Sequence, residues 1–102
     1  MMPPNRPTMN PIPMAIVPPI AYFYVQGHVN RPGQYPFTRD QLRLSQALSI
    51  AGGPTEFADS NKRKIVRGRE TIEVDMRDVR KGKIPDPTIE PGDIVEVPRG
   101  WM

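Results

Sequence analysis

Seven of the 14 prolines in this chain of 102 residues lie within its first 20 positions, MMPPNRPTMNPIPMAIVPPI. Proline has no amide proton to donate and holds φ near about −65°, so such a segment cannot enter a helix interior or a central strand. Residues 1–21 are therefore expected to form an extended, polyproline-like arm, with a folded domain over 22–102. The apolar residues of the arm, among them Met9, Ile12, Met14, Ile16, Val17 and Ile20, fit contact with a neighbouring subunit or with the domain itself. The alternatives are a disordered leader and a cut from a longer chain.

The absence of cysteine and the single histidine exclude a disulfide framework and a cysteine-ligated zinc site. No run reaches the ~18 apolar residues of a membrane span, because Pro18 and Pro19 break the most apolar stretch, Met14 to Val29. No basic segment precedes that stretch in the manner of a secretory signal, so export would require a signal outside these residues. Net charge is +3, with a pI of about 9.6. Residues 39–102 hold 12 basic and 11 acidic side chains, so the domain is nearly neutral and bulk nucleic-acid binding is not indicated.

From Tyr22 the pattern alternates. Phe23, Val25, Gly27 and Val29 share one face of a strand, and Tyr22, Tyr24, Gln26 and His28 the other. Asn30-Arg31-Pro32-Gly33 reads as a tight type II reversal, and Gln34 to Phe37 as the returning strand. In LSQALSIAGG, Leu44, Ala47, Leu48 and Ala51 make a narrow apolar stripe at helical spacing. Thr38 or Asp40 is placed to cap its start, while Gly52 and Gly53 fit a left-handed cap that Pro54 terminates. Strands are expected at Lys64–Arg67 and Thr71–Asp75, one helical turn after Met76, loop over 82–92, and a closing strand over Asp93–Pro98. Strand, strand, helix, strand, strand, short turn, strand describes an α+β domain of β-grasp type: a mixed sheet of about five strands under one main helix.

Three motifs then resemble one family in order and spacing. Val25-Gln26-Gly27-His28-Val29-Asn30-Arg31-Pro32-Gly33-Gln34-Tyr35 resembles the opening signature of soluble-ligand-binding β-grasp (SLBB) domains. Leu44 to Gly53 is similar to the family's helix ending in A-G-G, and Ile89 to Pro98, with Pro91-Gly92-Asp93, to its closing strand. Asp75, Val79, Gly82 and Asp86-Pro87 match the stretch between. The subgroup most resembled is that of bacterial outer-membrane polysaccharide export proteins. The resemblance implies a periplasmic or outer-membrane-associated location and partners of three kinds: polysaccharide, further copies of the chain as a homo-oligomer, and an inner-membrane polysaccharide co-polymerase. The export-signature domain and lipid-bearing cysteine usual in such proteins are missing from these residues.

No pattern here provides catalysis. Ser45 and Ser49 lack a triad context, Glu70 and Glu73 lie along a strand, and Gly52-Gly53-Pro54 follows a helix instead of opening one, as a phosphate cradle must. His28 reads as a surface or interface residue. The expected activity is non-catalytic binding, without metal or cofactor. Candidate ligand contacts are Arg31 at the hairpin tip, Tyr35, and Lys62, Arg63 and Arg67 from a run of five basic residues in eight that ends at Arg69. The same run also fits a solvated edge that discourages sheet pairing. Tyr22, Tyr24, Tyr35 and Trp101 are candidates for stacking on a sugar ring or for ordinary packing. Pro32, Gly33, Gly52, Gly53, Pro91, Gly92 and Asp93 are assigned to turns and caps, with Asp93 bonding nearby amides so that Asp93→Ala costs about 1 kcal/mol without altering ligand affinity. Two further functions remain open: a small-ligand or docking module of cobalamin-binding or respiratory type, and a ubiquitin-like carrier, which the ending Gly100-Trp101-Met102 disfavours.

Overall fold

The computed structural model describes residues 21–38 and 41–100. All of the expected arm over residues 1–21 except Ala21, the possible cap Asp40 and the stacking candidate Trp101 lie outside the described residues. Among the described residues, nine elements run β1 (Tyr22–Gly27), β2 (Gly33–Pro36), β3 (Leu42–Arg43), α1 (Leu44–Ile50), β4 (Lys62–Arg67), β5 (Glu70–Asp75), α2 (Met76–Arg80), β6 (Thr88–Ile89) and β7 (Ile94–Val97). Five strands join in the order β2-β1-β7-β4-β5. The central pair β1–β7 is parallel and its neighbours are antiparallel, which makes the sheet mixed. This is the β-grasp arrangement that the order of elements predicts.

The core lies on one face of that sheet. Strand alternation sends Phe23, Val25, Ile65, Val74, Val95 and Val97 to this side, all at most 5% exposed. Leu44, Ala47, Leu48 and Ala51, the predicted apolar stripe of α1, are all buried with them. Seven residues are too few to hold a helix by themselves in water, so packing and capping sustain it.

The caps are built from afar. The Gln46 side chain accepts from the Arg43 amide at 2.8 Å. Asp86, 41 positions from Ser45, accepts the Ser45 amide at 3.2 Å and bonds its hydroxyl, while the Pro87 carbonyl accepts from Leu44 N–H at 2.8 Å. Asp86 and Pro87 thus satisfy the helix start, with no side-chain cap from Thr38. Gly52 (φ 86°) and Gly53 (φ 78°) close the C-terminus as expected, with Gly53 N–H on the Leu48 carbonyl.

Two expectations are corrected. The β1–β2 connection is wider than a tight reversal. The last ladder pair joins Val25 to Gly33, Val29 leaves to bridge Pro54, and Gly33 sits at φ 153° where a type II turn needs about +80°. The loop over 82–92 contains β6, which pairs with β3 in a small second sheet (Leu42 opposite Ile89). Two residues per strand, 46 positions apart, are too short to announce themselves as periodic sequence.

Candidate functional site

The sheet face opposite α1 carries no described element. Register places its residues in rows across the strands. One row reads Gln34, Tyr24, Ile94, Val66, Thr71, and the next Gln26, Glu96, Lys64, Glu73. Tyr22 stands beside the first row, and beyond the second Lys62 faces Asp75. Tyr22 and Tyr24 are 37% and 40% exposed, although their size and strand position favour burial. The face therefore grades from an aromatic and aliphatic end to a charged end, rows being roughly 7 Å apart along the strands.

At the charged end the face runs into an open cleft of about 730 Å3. Lys62, Lys64, Glu73 and Asp75 enter it from the sheet, Arg63 from the start of β4, Asp59 from the segment before it, Asp78 from α2, and Arg99 from beyond β7. Arg99 is held over the Phe57 ring at 5.7 Å. Two of the acids are engaged. Asp59 accepts the amides of Asn61 (2.9 Å) and Lys62 (2.8 Å), which draw its pKa below the usual carboxylate value. Asp75 takes Nη2 of Arg77 at 2.7 Å together with the Arg77 amide, and that pairing lowers its pKa to about 2. Glu73 and Asp78 make no side-chain hydrogen bond or ion pair among the described residues.

The five cations of the basic run do not form one strip. The period of two along β4 turns Lys62 and Lys64 to the open face and Arg63 and Arg67 to the core face, with Arg69 in the following turn. Arg67 grips Asp93, which is only 1% exposed, through Nε (3.0 Å) and Nη2 (2.7 Å), and also reaches Glu90 at 3.2 Å and the Thr88 carbonyl at 3.1 Å. The carboxylate holds the Arg67 pKa above its usual value. Asp93 further accepts the Glu90 amide at 2.8 Å, closing the Pro91-Gly92 turn as the sequence implies. Arg67 thus ties β4 to the entry of β7.

Arg31 lies at the other end of the hairpin and donates from Nη2 to the Ile50 carbonyl at 3.0 Å, while its amide reaches Ala51 and Asn30 bonds Gly52 and Gly53. A cation among the last carbonyls of α1 meets the negative end of the helix dipole. Tyr35 stacks on Phe23 with centroids 5.7 Å apart and donates its hydroxyl to the Arg31 carbonyl, so it faces the core, away from Tyr22 and Tyr24. Of the residues singled out from the sequence, Lys62 and Arg63 meet in the cleft, while Arg31, Tyr35 and Arg67 lie elsewhere. Glu73, Asp78 and Arg99 join the cleft without a signal in the local sequence, since β5, α2 and the chain after β7 converge only through the fold.

A mixed β-grasp sheet with one covered face and one open, graded face defines a binding scaffold. The model of the SLBB domain family matches residues 21–97, from the start of β1 to the end of β7. The chain belongs to the SLBB family, whose members are soluble ligand-binding domains found in polysaccharide export proteins, including periplasmic ones.

Proposed function

We propose that this chain is a non-catalytic module of bacterial polysaccharide export, acting in the periplasm or at the outer membrane by contacting glycan and neighbouring subunits. The observation that carries the reading is the pair Tyr22 and Tyr24, side by side on a sheet face that no described element covers and that continues into a hydrogen-bonding cleft. Aromatic rings offer a flat apolar face to the C–H side of a pyranose, and charged and amide side chains beside them meet its hydroxyls. Family membership supports that reading, in which copies of the chain and an inner-membrane co-polymerase are the proposed partners.

The test is a backbone amide NMR titration of the full chain with bacterial capsular oligosaccharides. Shifts concentrated on β1, β7 and β4 support the reading. Unmoved resonances across a panel of acidic and neutral oligosaccharides would remove glycan contact, and new reducing ends in the sample would remove the non-catalytic assignment.

A further inference from the structure

Arg63 is the most anomalous charge among the described residues. Its residue is 4% exposed, and guanidinium keeps its proton at any ordinary pH. Nη1 donates to the carbonyls of Asp59 and Lys62, both at 2.7 Å, but these are neutral acceptors. Nε is buried with no partner, and no hydrogen bond among the described residues uses Nη2. No carboxylate lies within ion-pair distance of it among the described residues, whereas Arg67, four residues along the same strand face, has two. Asp59 acts on Arg63 from further off and Arg80 opposes it with a second positive charge. A buried cation without a counter-ion is destabilising by itself, so an anion that reached its unused donors would be bound favourably.

The surroundings indicate which anion. Arg63 borders the cleft together with Lys62, Lys64 and Arg99. The same cleft presents the carboxylates of Glu73 and Asp78, unbonded among the described residues, and a polyanion with a charge at every residue would meet both unfavourably. A ring bearing one carboxylate and several hydroxyls suits the mixture: the carboxylate goes to the guanidinium fork and hydroxyl protons to Glu73 and Asp78. The cleft volume, about 730 Å3, lies in the range of small-ligand sites.

We infer that the cleft beside Arg63 is a uronate subsite, in which the guanidinium receives the carboxylate of an acidic sugar. This deepens the glycan-binding reading and rests on it. The fork stays protonated throughout and no bond is made or broken.

The probes are an aldotriouronic acid (one glucuronate on two neutral xyloses) and its methyl ester, which keeps the rings and removes the charge. Calorimetry on the full chain is expected to show the acid binding at least tenfold more tightly than the ester, with the Arg63 Nε–H resonance shifting on saturation. Arg63→Met is expected to abolish the preference while melting no lower than the parent, because an uncompensated buried charge gives way to an apolar chain of similar reach. Arg63→Lys, which keeps charge but loses the fork, should retain only part of it. Equal affinity for acid and ester, or an Arg63 Nε–H signal that stays in place, overturns the subsite using the parent alone. An Arg63→Met protein that melts lower yet keeps the acid preference assigns Arg63 to bracing the Asp59 and Lys62 carbonyls and likewise overturns it. Tighter binding of tetraglutamate than of the aldotriouronic acid would do the same by pointing to an acidic peptide. If the ester still shifts β1 and β7 amides while acid preference is absent, the subsite fails and glycan binding stands; if neither sugar shifts anything, both fall.

Discussion

Replacing Asp93 by alanine tests the internal brace between β4 and β7. The carboxylate is 1% exposed and accepts three hydrogen bonds, from Arg67 Nε at 3.0 Å, Arg67 Nη2 at 2.7 Å and Glu90 N at 2.8 Å. Freeing the Glu90 amide in an exposed turn costs about 1 kcal/mol, the figure expected from the motif alone. Removing one member of a buried ion pair costs roughly 3–5 kcal/mol when the other has no recourse. Here the Arg67 side chain is 30% exposed and keeps Glu90 and the Thr88 carbonyl, so about 2 kcal/mol is the fitting share. The sum, about 3 kcal/mol, is a large part of the stability of a domain this size and corresponds to roughly 12–24 °C in melting temperature. Urea titration followed by circular dichroism measures it, with an unchanged slope showing that stability alone has moved. Combining Asp93→Ala with Arg67→Met should recover about 2 kcal/mol of the summed single effects. A loss under about 1 kcal/mol, or strict additivity of the pair, would show that the fork contributes nothing beyond the turn.

Gly27 sits at φ 90° where an added Cβ would lie 2.3 Å from the Val97 carbonyl oxygen, so Gly27→Ala should destabilise by about 3 kcal/mol or more, read in the same titration. Ala47 is fully buried between α1 and the sheet, and Ala47→Leu should cost ~1–3 kcal/mol; unfolding equal to the parent would mean that this helix face is not packed. The folded-state pKa of Asp75 is depressed to about 2, chiefly by the Arg77 side chain, so the pair stabilises fully above about pH 4 and ceases to do so as pH falls through about 2. Acid titration of Asp75→Asn beside the parent should show a stability gap that is constant near neutrality and closes over that window.

Local chemistry made much of the fold legible. The alternation from Tyr22, the stripe Leu44-Ala47-Leu48-Ala51 and the Gly52-Gly53 cap are short-range signals, and each appears where the sequence puts it. What stayed hidden depends on residues far apart in the chain. The Asp86 cap on α1, the β3–β6 pair and the Arg67–Asp93 fork span 41, 46 and 26 positions, and no window of sequence contains both halves. Arg63 was obscured for another reason: a run rich in Lys and Arg reads as solvated, and only the phase of β4 shows that every second cation turns inward. That phase separates Lys62 and Lys64, on the open face, from Arg67, in the brace, and leaves Arg63 buried at the edge of the cleft.

The most direct measurement is the affinity of a capsular oligosaccharide for the full chain and for a Tyr22→Ala, Tyr24→Ala double variant, by calorimetry. Both rings are solvent-facing, so the variant should fold as the parent does while affinity falls at least tenfold, about 1.4 kcal/mol. Equal affinity in a normally folded variant would contradict a glycan-binding role for the open face of the sheet.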